Sequence, residues 1–159
     1  MRTRSATLSA VALFLLLAVT PVLASSPHFI RSSASGPTAQ GDLNVSFKIA
    51  GLGDNETITV TASADATAVY ACRNKGGNFP SDPKKTEVSG PVSESGDFTS
   101  GKNGQITGSL TVSPPSTDLD CPSGQRQVLV SVSYTNVEVS GGGDTASIAG
   151  TFSRTFFDI

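Results

Sequence analysis

Apolar and polar residues alternate with a period of two along most of the chain from residue 42 onwards. The clearest run covers residues 43–49, in which every second residue is apolar. This alternation is typical of a β-strand with one buried face. No stretch after Ala24 has the 3.6-residue period of an amphipathic helix. Further strands are predicted at 58–62, 66–72, 86–90, 92–98, 106–112, 128–139 and 146–156.

The strands at 92–98 and 106–112 are predicted to form a hairpin. A three-residue loop, 102–104, keeps the apolar residues of both strands on one face and places Phe98 opposite Gly108. Such a loop ends in a left-handed residue, and its last residue is a glycine, which adopts a positive φ without strain.

The last predicted hairpin contains a bulge. The apolar residues at 128–134 are out of phase with those at 137–139, and an extra residue near 135–136 reconciles the two. A turn at the glycines of 142–143 then sets the register. The predicted pairs are Val139 with Ala146, Val137 with Ile148, Val132 with Phe152 and Val128 with Phe156.

These elements indicate an all-β domain of about seven or eight strands. We predict a two-sheet antiparallel sandwich that is immunoglobulin-like in the broad sense. A small closed β-barrel is the alternative. A true immunoglobulin domain is disfavoured, because Cys72 is the first cysteine and the chain has no Trp to pack on a disulfide.

The N-terminal segment, residues 1–24, has the pattern of a secretory signal peptide. Arg2 and Arg4 precede an apolar run that is shorter than the roughly twenty residues needed to span a bilayer. Val-Leu-Ala follows at 22–24 and predicts cleavage after Ala24. We therefore expect a secreted, extracellular protein, with no membrane span after cleavage.

The rest of the chain divides into a lead-in and one domain. Residues 25–41 are rich in Ser, Pro, Gly and Ala and are predicted to be a flexible lead-in. Phe29 and Ile30 in this segment could add to an edge strand. Residues 42–159 are predicted to be a single β-sandwich domain.

Charge and cysteine content narrow the possible functions. Cleavage removes two of the eleven basic residues and none of the thirteen acidic ones. The mature chain is therefore acidic, and its scattered charges do not favour binding to nucleic acid. Cys72 and Cys121 would both reach an oxidising compartment, which predicts a disulfide between them.

The long polar loop at 73–85 is the candidate binding loop. It contains four cations and an aromatic ring next to the predicted disulfide, and long loops on rigid sandwiches often carry recognition. The candidate residues are Arg73, Lys75, Phe79, Lys84 and Lys85. They could meet an acidic glycan or an acidic protein surface; the alternative is a solvated loop whose charges aid solubility.

No catalytic residue, cofactor or metal site is predicted. The single histidine, His28, lies in the lead-in, and the glutamates show no spacing that favours a catalytic pair. Acidic residues at 54–56, Asp118 and Asp120 lack the spacing of a calcium loop, and turn chemistry explains them. The N-glycosylation sequons, which matter only in a host that glycosylates, begin at Asn44 and Asn55.

Five short segments carry a resemblance. They are 70–72 (Tyr-Ala-Cys), 101–105 (Gly-Lys-Asn-Gly-Gln), 110–115 (Leu-Thr-Val-Ser-Pro-Pro), 121–122 (Cys-Pro) and 130–134 (Val-Ser-Val-Ser-Tyr). Together they look similar to small exported bacterial β-sandwich proteins that have no assigned function. The resemblance implies secretion and a compact β domain with a disulfide, and it implies no activity.

Three functions follow as hypotheses. The first is a secreted, non-catalytic protein that binds a glycan or a protein outside the cell. The second is a structural or stress-related component of the cell surface without a specific ligand. The third is a small secreted inhibitor or effector. An apolar or aromatic platform near Phe79 would favour binding, and a uniformly polar surface would favour the structural role. A protruding loop braced by the disulfide would favour an inhibitor.

Overall fold

The computed structural model describes residues 26–159, so the predicted signal peptide at 1–24 lies outside the described residues. Eight β-strands account for the regular structure: β1 (His28–Ser35), β2 (Leu43–Ala50), β3 (Thr57–Asn74), β4 (Lys85–Thr99), β5 (Ile106–Val112), β6 (Gln125–Gly141), β7 (Asp144–Ile148) and β8 (Phe152–Thr155). Among these residues there is no helix with the length and apolar character needed to cross a bilayer.

The strands form two antiparallel sheets that enclose one core. The smaller sheet has the order β1-β2-β5, and the larger has the order β4-β3-β6-β7, with β8 also paired to β6. The prediction of an all-β two-sheet sandwich is confirmed, and the described strands do not close into the barrel that was the alternative. At one side the sheets meet where the Phe29 N–H donates to the Asp144 carboxylate (3.0 Å).

The core is filled by alternate residues of each strand. On β3 the inward positions from Ala62 to Ala68 are all alanine and are all buried. These small side chains leave volume for larger members of the same cluster, such as Phe47 and the fully buried Tyr134. The outward positions of β3 from Thr57 to Thr67 are polar, so this part of the strand contributes to both the core and the surface.

The four strands predicted between residues 58 and 98 are two long strands. The inward positions keep one parity from Val60 to Cys72, and β3 therefore continues without a break. β4 continues through Pro91. Because β4 lies at the edge of its sheet, a residue without an N–H need not remove a ladder hydrogen bond there.

The expectation of a flexible lead-in is corrected at residues 28–35, which form β1 at the edge of the smaller sheet. Phe29 and Ile30 are both part of this strand. Its apolar residues in contact with the core are Phe29 and Ala34. So few apolar positions give a weak alternation signal, and pairing with β2 supplies the order instead.

The predicted hairpin between 92–98 and 106–112 is wrong, because the two strands belong to different sheets. β4 pairs with β3, and β5 pairs with β2. Phe98 nevertheless lies against Gly108, across the core: a Cβ on Gly108 would be 2.6 Å from the Phe98 ring. The predicted turn conformation is confirmed, since Gly104 has a φ of 63°.

The last hairpin has the predicted turn and bulge. The pairing of Val139 with Ala146 and of Val137 with Ile148 is confirmed. The register between β3 and β6 shifts next to Asn136, which has a φ of 50°. The bulge is therefore where the change of phase in the sequence indicates it.

Beyond the bulge the predicted pairing is wrong. Phe152 lies opposite Tyr134, and Val132 lies opposite Arg154. The chain leaves the ladder at 149–151, between β7 and β8. These extra residues displace β8 by two positions relative to the predicted register.

Candidate functional site

The predicted disulfide is confirmed and joins β3 to the chain that connects the two sheets. Cys72 and Cys121 are bonded, with their Cα atoms 5.5 Å apart and a sequence separation of 49. Cys121 lies in the segment 113–124, which runs from β5 in one sheet to β6 in the other. The bond thus fixes this crossing next to the candidate binding loop.

The candidate binding loop, 73–85, is anchored on both sides. The Lys75 N–H donates to the Gly124 carbonyl (3.1 Å), and the Cys72 N–H donates to the Lys84 carbonyl (2.9 Å). These main-chain bonds tie the loop to the disulfide and to the crossing segment. It is therefore a braced loop.

Arg73 and Phe79 are brought together by the fold, and a third residue joins them. The Arg73 guanidinium lies 5.4 Å from the centre of the Phe79 ring and 4.5 Å from that of Phe157. Its Nε donates to the Gly77 carbonyl (2.6 Å). The two rings meet edge to face, with their centres 5.4 Å apart. Arg73 and Phe79 thus pack together and do not form an open platform. Phe157 was not predicted, because its sequence position carries no sign of this contact.

The three lysines of the candidate binding loop remain at the surface. Lys75, Lys84 and Lys85 are all exposed. The Lys84 ammonium donates to the Asp120 carbonyl (2.6 Å), which further braces the loop. The structure therefore divides the five predicted residues into a packed pair and three surface cations.

The outer side of the larger sheet is a broad surface of hydroxyl groups, which we call the hydroxyl face. Because β3 residues at 60, 62 and 68 point into the core, the residues between them and their cross-strand partners point outwards. The hydroxyl residues of this face are Thr57, Thr59, Thr61, Ser63, Thr67, Ser89, Ser93, Ser95, Thr99, Ser131, Ser133, Thr135, Ser140, Thr145, Ser147, Ser153 and Thr155. Four carboxylates lie among them, those of Asp65, Glu87, Asp97 and Glu138.

Hydroxyl groups of β3 and β4 are bonded to one another in cross-strand pairs. Thr61 pairs with Ser95 (2.8 Å) and Thr67 with Ser89 (2.9 Å). A hydroxyl has one proton and two lone pairs, so each pair keeps one proton and several lone pairs for other partners. Successive outward residues on a strand are about 6.7 Å apart. The face therefore offers regularly spaced donors and acceptors on a rigid backbone.

Two adjoining depressions form a trough in the middle of the hydroxyl face. They have volumes of about 300 and 260 Å³ and share Thr67 and Ser133. Asp65 lines the first and Glu87 the second. The Asp65 carboxylate accepts a hydrogen bond from the Asn136 amide (2.8 Å), which fixes its position beside the bulge. The trough is thus a shallow, polar site with a carboxylate in each half.

The hydroxyl face is not among the sites predicted from the sequence, although its signal is present there. Outward positions from 57 to 67 read Thr, Thr, Thr, Ser, Asp and Thr at every second residue. Any strand with one solvent-exposed face has a similar pattern of polar residues at every second position. Only the registers of four neighbouring strands reveal that such rows lie side by side.

The acidic residues at 54–56 serve the turn that they occupy. The Glu56 carboxylate accepts the Gly53 N–H (2.8 Å), and the Glu56 N–H donates to the Ser100 hydroxyl (2.9 Å). Asp118 and Asp120 are exposed. Within residues 26–159, no group of three His, Cys, Asp or Glu side chains could hold a metal ion.

Both tyrosines are buried near the crossing between the sheets. The Tyr134 hydroxyl donates to the Gly41 carbonyl (2.8 Å), and the Tyr70 hydroxyl donates to the Pro115 carbonyl (2.8 Å). Burial raises the pKa of Tyr134 far above its usual value, and the charge of Asp42 and the neighbouring Tyr70 act in the same direction. Burial also raises the pKa of Tyr70. Both hydroxyls are therefore neutral structural donors at physiological pH.

Comparison of the chain with protein-family models, with curated proteins and with solved structures found no match.

Proposed function

We propose that this protein is exported and binds a glycan outside the cell, without catalysing a reaction, through the trough of the hydroxyl face. The observation that carries the proposal is the density of hydroxyl and carboxylate groups around Thr67 and Ser133. Sugar hydroxyls both donate and accept hydrogen bonds, and this surface offers partners of both kinds. Carboxylates form the stronger, charge-assisted bonds to donors.

The composition of the face favours a glycan over a protein partner. Protein interfaces depend on buried aromatic, Met or Arg anchors. The chain has no Trp, and both tyrosines are buried in the core. The aromatic residue of the candidate binding loop, Phe79, packs against Phe157. The outward side chains that remain on the larger sheet are those of a hydrogen-bonding surface.

The trough is built on strands, which lowers the cost of binding. Its residues come from β3, β4, β6 and β8, and each strand is held by a neighbour on the ladder. Side chains on short, branched stems such as Thr lose little conformational freedom when a ligand binds. A polymer can therefore be held by several weak bonds without ordering of the protein.

Export and a non-catalytic role are each supported by two observations. The N-terminal sequence has the pattern of a signal peptide, and the Cys72–Cys121 disulfide fits an oxidising compartment. A hydroxyl nucleophile requires a general base beside it. In the trough, the Thr67 hydroxyl is instead hydrogen-bonded to the Ser89 hydroxyl. The single histidine, His28, is exposed on β1 in the other sheet.

The test measures binding of residues 25–159 to a panel of neutral polysaccharides by affinity electrophoresis. The variant T67V/T135V removes two hydroxyls from the trough while keeping side-chain shape and strand propensity. The variant T111V/T151V makes the same two changes at exposed positions away from the hydroxyl face and is the control. We expect T67V/T135V to weaken binding about tenfold, because each lost hydrogen bond costs about 0.5–1.5 kcal/mol.

Two results would refute the proposal. One is a wild-type protein that binds no member of the panel, which would favour the structural role without a ligand. The other is equal weakening in both variants. Export is tested separately by sequencing the N-terminus of protein recovered from culture medium, where Ser25 is the expected first residue.

A further inference from the structure

The outer side of the smaller sheet differs from the hydroxyl face in charge. Strands β1, β2 and β5 contain no Asp or Glu. Two cations, Arg31 and Lys48, lie on its outer side, because their neighbours Phe47 and Ile49 point into the core. The carboxylates of the hydroxyl face therefore have no counterpart on these three strands, whose charged side chains are the two cations.

Arg31 and Lys48 lie directly opposite each other on paired strands. Like charges directly opposite each other on paired strands destabilise a sheet. No carboxylate on these strands can offset the repulsion. At the β1 edge the larger sheet contributes Asp144, whose carboxylate accepts the Phe29 N–H. An anion bound between the two cations would relieve this repulsion.

A β-bulge brings Arg31 into this position. Before the bulge His28 pairs with Ala50 and Phe29 with Ile49, so an unbroken ladder would place Ile30 opposite Lys48. The register shift places Arg31 there instead. It leaves Ile30 with 51 % of its surface exposed, the larger of the two values for exposed large apolar residues within 26–159. Bulges re-aim side chains next to functional sites.

A depression surrounds the two cations. Its volume is about 460 Å³, larger than either half of the trough. Four hydroxyl residues line it together with Arg31 and Lys48: Ser33, Ser46, Thr107 and Ser109. Guanidinium, ammonium and hydroxyl donors around one space are the groups that bind an oxyanion.

We propose that this depression binds a sulfate or phosphate ester group carried by an extracellular polymer, and we call it the oxyanion site. Arg31 and Lys48 would hold the anion from two adjacent strands, and the hydroxyls would donate to its remaining oxygens. The oxyanion site lies on the opposite side of the sandwich from the hydroxyl face. It therefore does not depend on the proposed glycan binding at the trough.

The test compares dextran sulfate with unmodified dextran in affinity electrophoresis of residues 25–159. The difference between the two polymers isolates the contribution of the anion. The variant R31Q/K48Q removes both cations of the site. The variant K102Q/R126Q removes one Lys and one Arg elsewhere on the surface, where both are exposed, and controls for net charge.

We expect dextran sulfate to bind the wild-type protein more tightly than dextran, with an affinity that falls as salt is added. R31Q/K48Q should lose about tenfold or more in affinity for dextran sulfate, and K102Q/R126Q about twofold or less. Inorganic sulfate and phosphate stabilise proteins in general, because they are excluded from the surface; each should nevertheless raise the melting temperature of the wild-type protein more than that of R31Q/K48Q. The anion with the larger difference between the two proteins identifies the preferred ester.

Three outcomes would overturn the proposal. The first is equal affinity of the wild-type protein for dextran and dextran sulfate. The second is equal loss in the two double variants, which would show an effect of net charge alone. The third is a melting-temperature increase with sulfate and phosphate that is equal in the wild-type protein and R31Q/K48Q. Since the changed side chains lie at the surface, the unliganded melting temperature of each variant verifies that it is folded.

Discussion

Replacing Tyr134 with Phe removes a hydroxyl group that ties the two sheets together. Tyr134 lies on β6 of the larger sheet and is completely buried. Its hydroxyl donates to the Gly41 carbonyl (2.8 Å) and lies 3.3 Å from the Val112 carbonyl. Val112 is the last residue of β5 in the smaller sheet, and Gly41 lies just before β2 of the same sheet. Without the hydroxyl they lose a buried donor, which costs about 1–3 kcal/mol of unfolding free energy.

The same substitution should change how stability depends on pH. Burial raises the pKa of Tyr134 in the folded protein, whereas an unfolded tyrosine has a pKa of about 10. The stabilisation is therefore complete below pH 10. Above pH 10 the unfolded chain ionises first, and the wild-type protein loses stability, by about 1.4 kcal/mol at pH 11 from this group. Y134F has no such group, so its disadvantage should shrink as the pH rises.

Urea unfolding at intervals from pH 7 to pH 11 measures both effects. The expected result is a gap of about 1–3 kcal/mol between wild type and Y134F at pH 7, which narrows above pH 10. Y70F is the companion variant, because burial also raises the pKa of Tyr70 and the same sign is expected. A gap that stays constant up to pH 11, or Y134F as stable as wild type at pH 7, would refute the reasoning.

Three further substitutions test the packing. C72A/C121A should lower the unfolding free energy by about 4 kcal/mol, which is the value that chain entropy gives for a loop of this length. Urea unfolding measures this loss against the wild-type protein, with the disulfide intact and after its reduction. Gly108→Ala should cost about 1–3 kcal/mol, because its Cβ would lie 2.6 Å from the Phe98 ring; thermal unfolding equal to that of wild type would show that the ring can move aside. Arg73→Gln should lower the unfolding free energy by about 1 kcal/mol, because the guanidinium loses its contacts with two rings. Differential scanning calorimetry should show a lower melting temperature; an unchanged melting temperature would show that these contacts do not stabilise the fold.

Much of the fold is readable from local patterns. Alternation identifies the strands from Leu43 to Ile148, since a residue's parity along a strand decides which side of the sheet it faces. The change of phase near Asn136 marks a real bulge. Gly104 marks a real left-handed position. Each of these signals depends on a few consecutive residues, and the sequence contains them in full.

Strand pairing is not local, and here the sequence is misleading. β4 and β5 are consecutive and have matching parity, so a hairpin satisfies every local rule. In the structure the connection at 100–105 passes from one sheet to the other. The alternation requires only that Phe98 and Gly108 face the core. This holds whether β4 and β5 pair in one sheet or lie in two opposed sheets. The choice depends on which strands bury more surface together, which involves the whole chain.

The candidate sites show the same division. The cations and the ring of the candidate binding loop are visible in the sequence, but the packing of Phe79 against Arg73 and Phe157 is not. The opposing cations of the oxyanion site are 17 positions apart in the printed sequence. Only the register of β1 on β2, including its bulge, places them opposite each other.

By itself the sequence determined that the chain is all-β, which residues face the core, where the last hairpin turns, and that Cys72 and Cys121 form a disulfide. The tertiary structure alone decided which strands are neighbours, that residues 28–35 are a strand, and which polar side chains gather into the trough and the oxyanion site. The physical reason is the distance along the chain over which each feature is determined. Side-chain direction repeats every two residues and is fixed by the backbone nearby, whereas neighbours on a surface are set by the competition of all strands for one core.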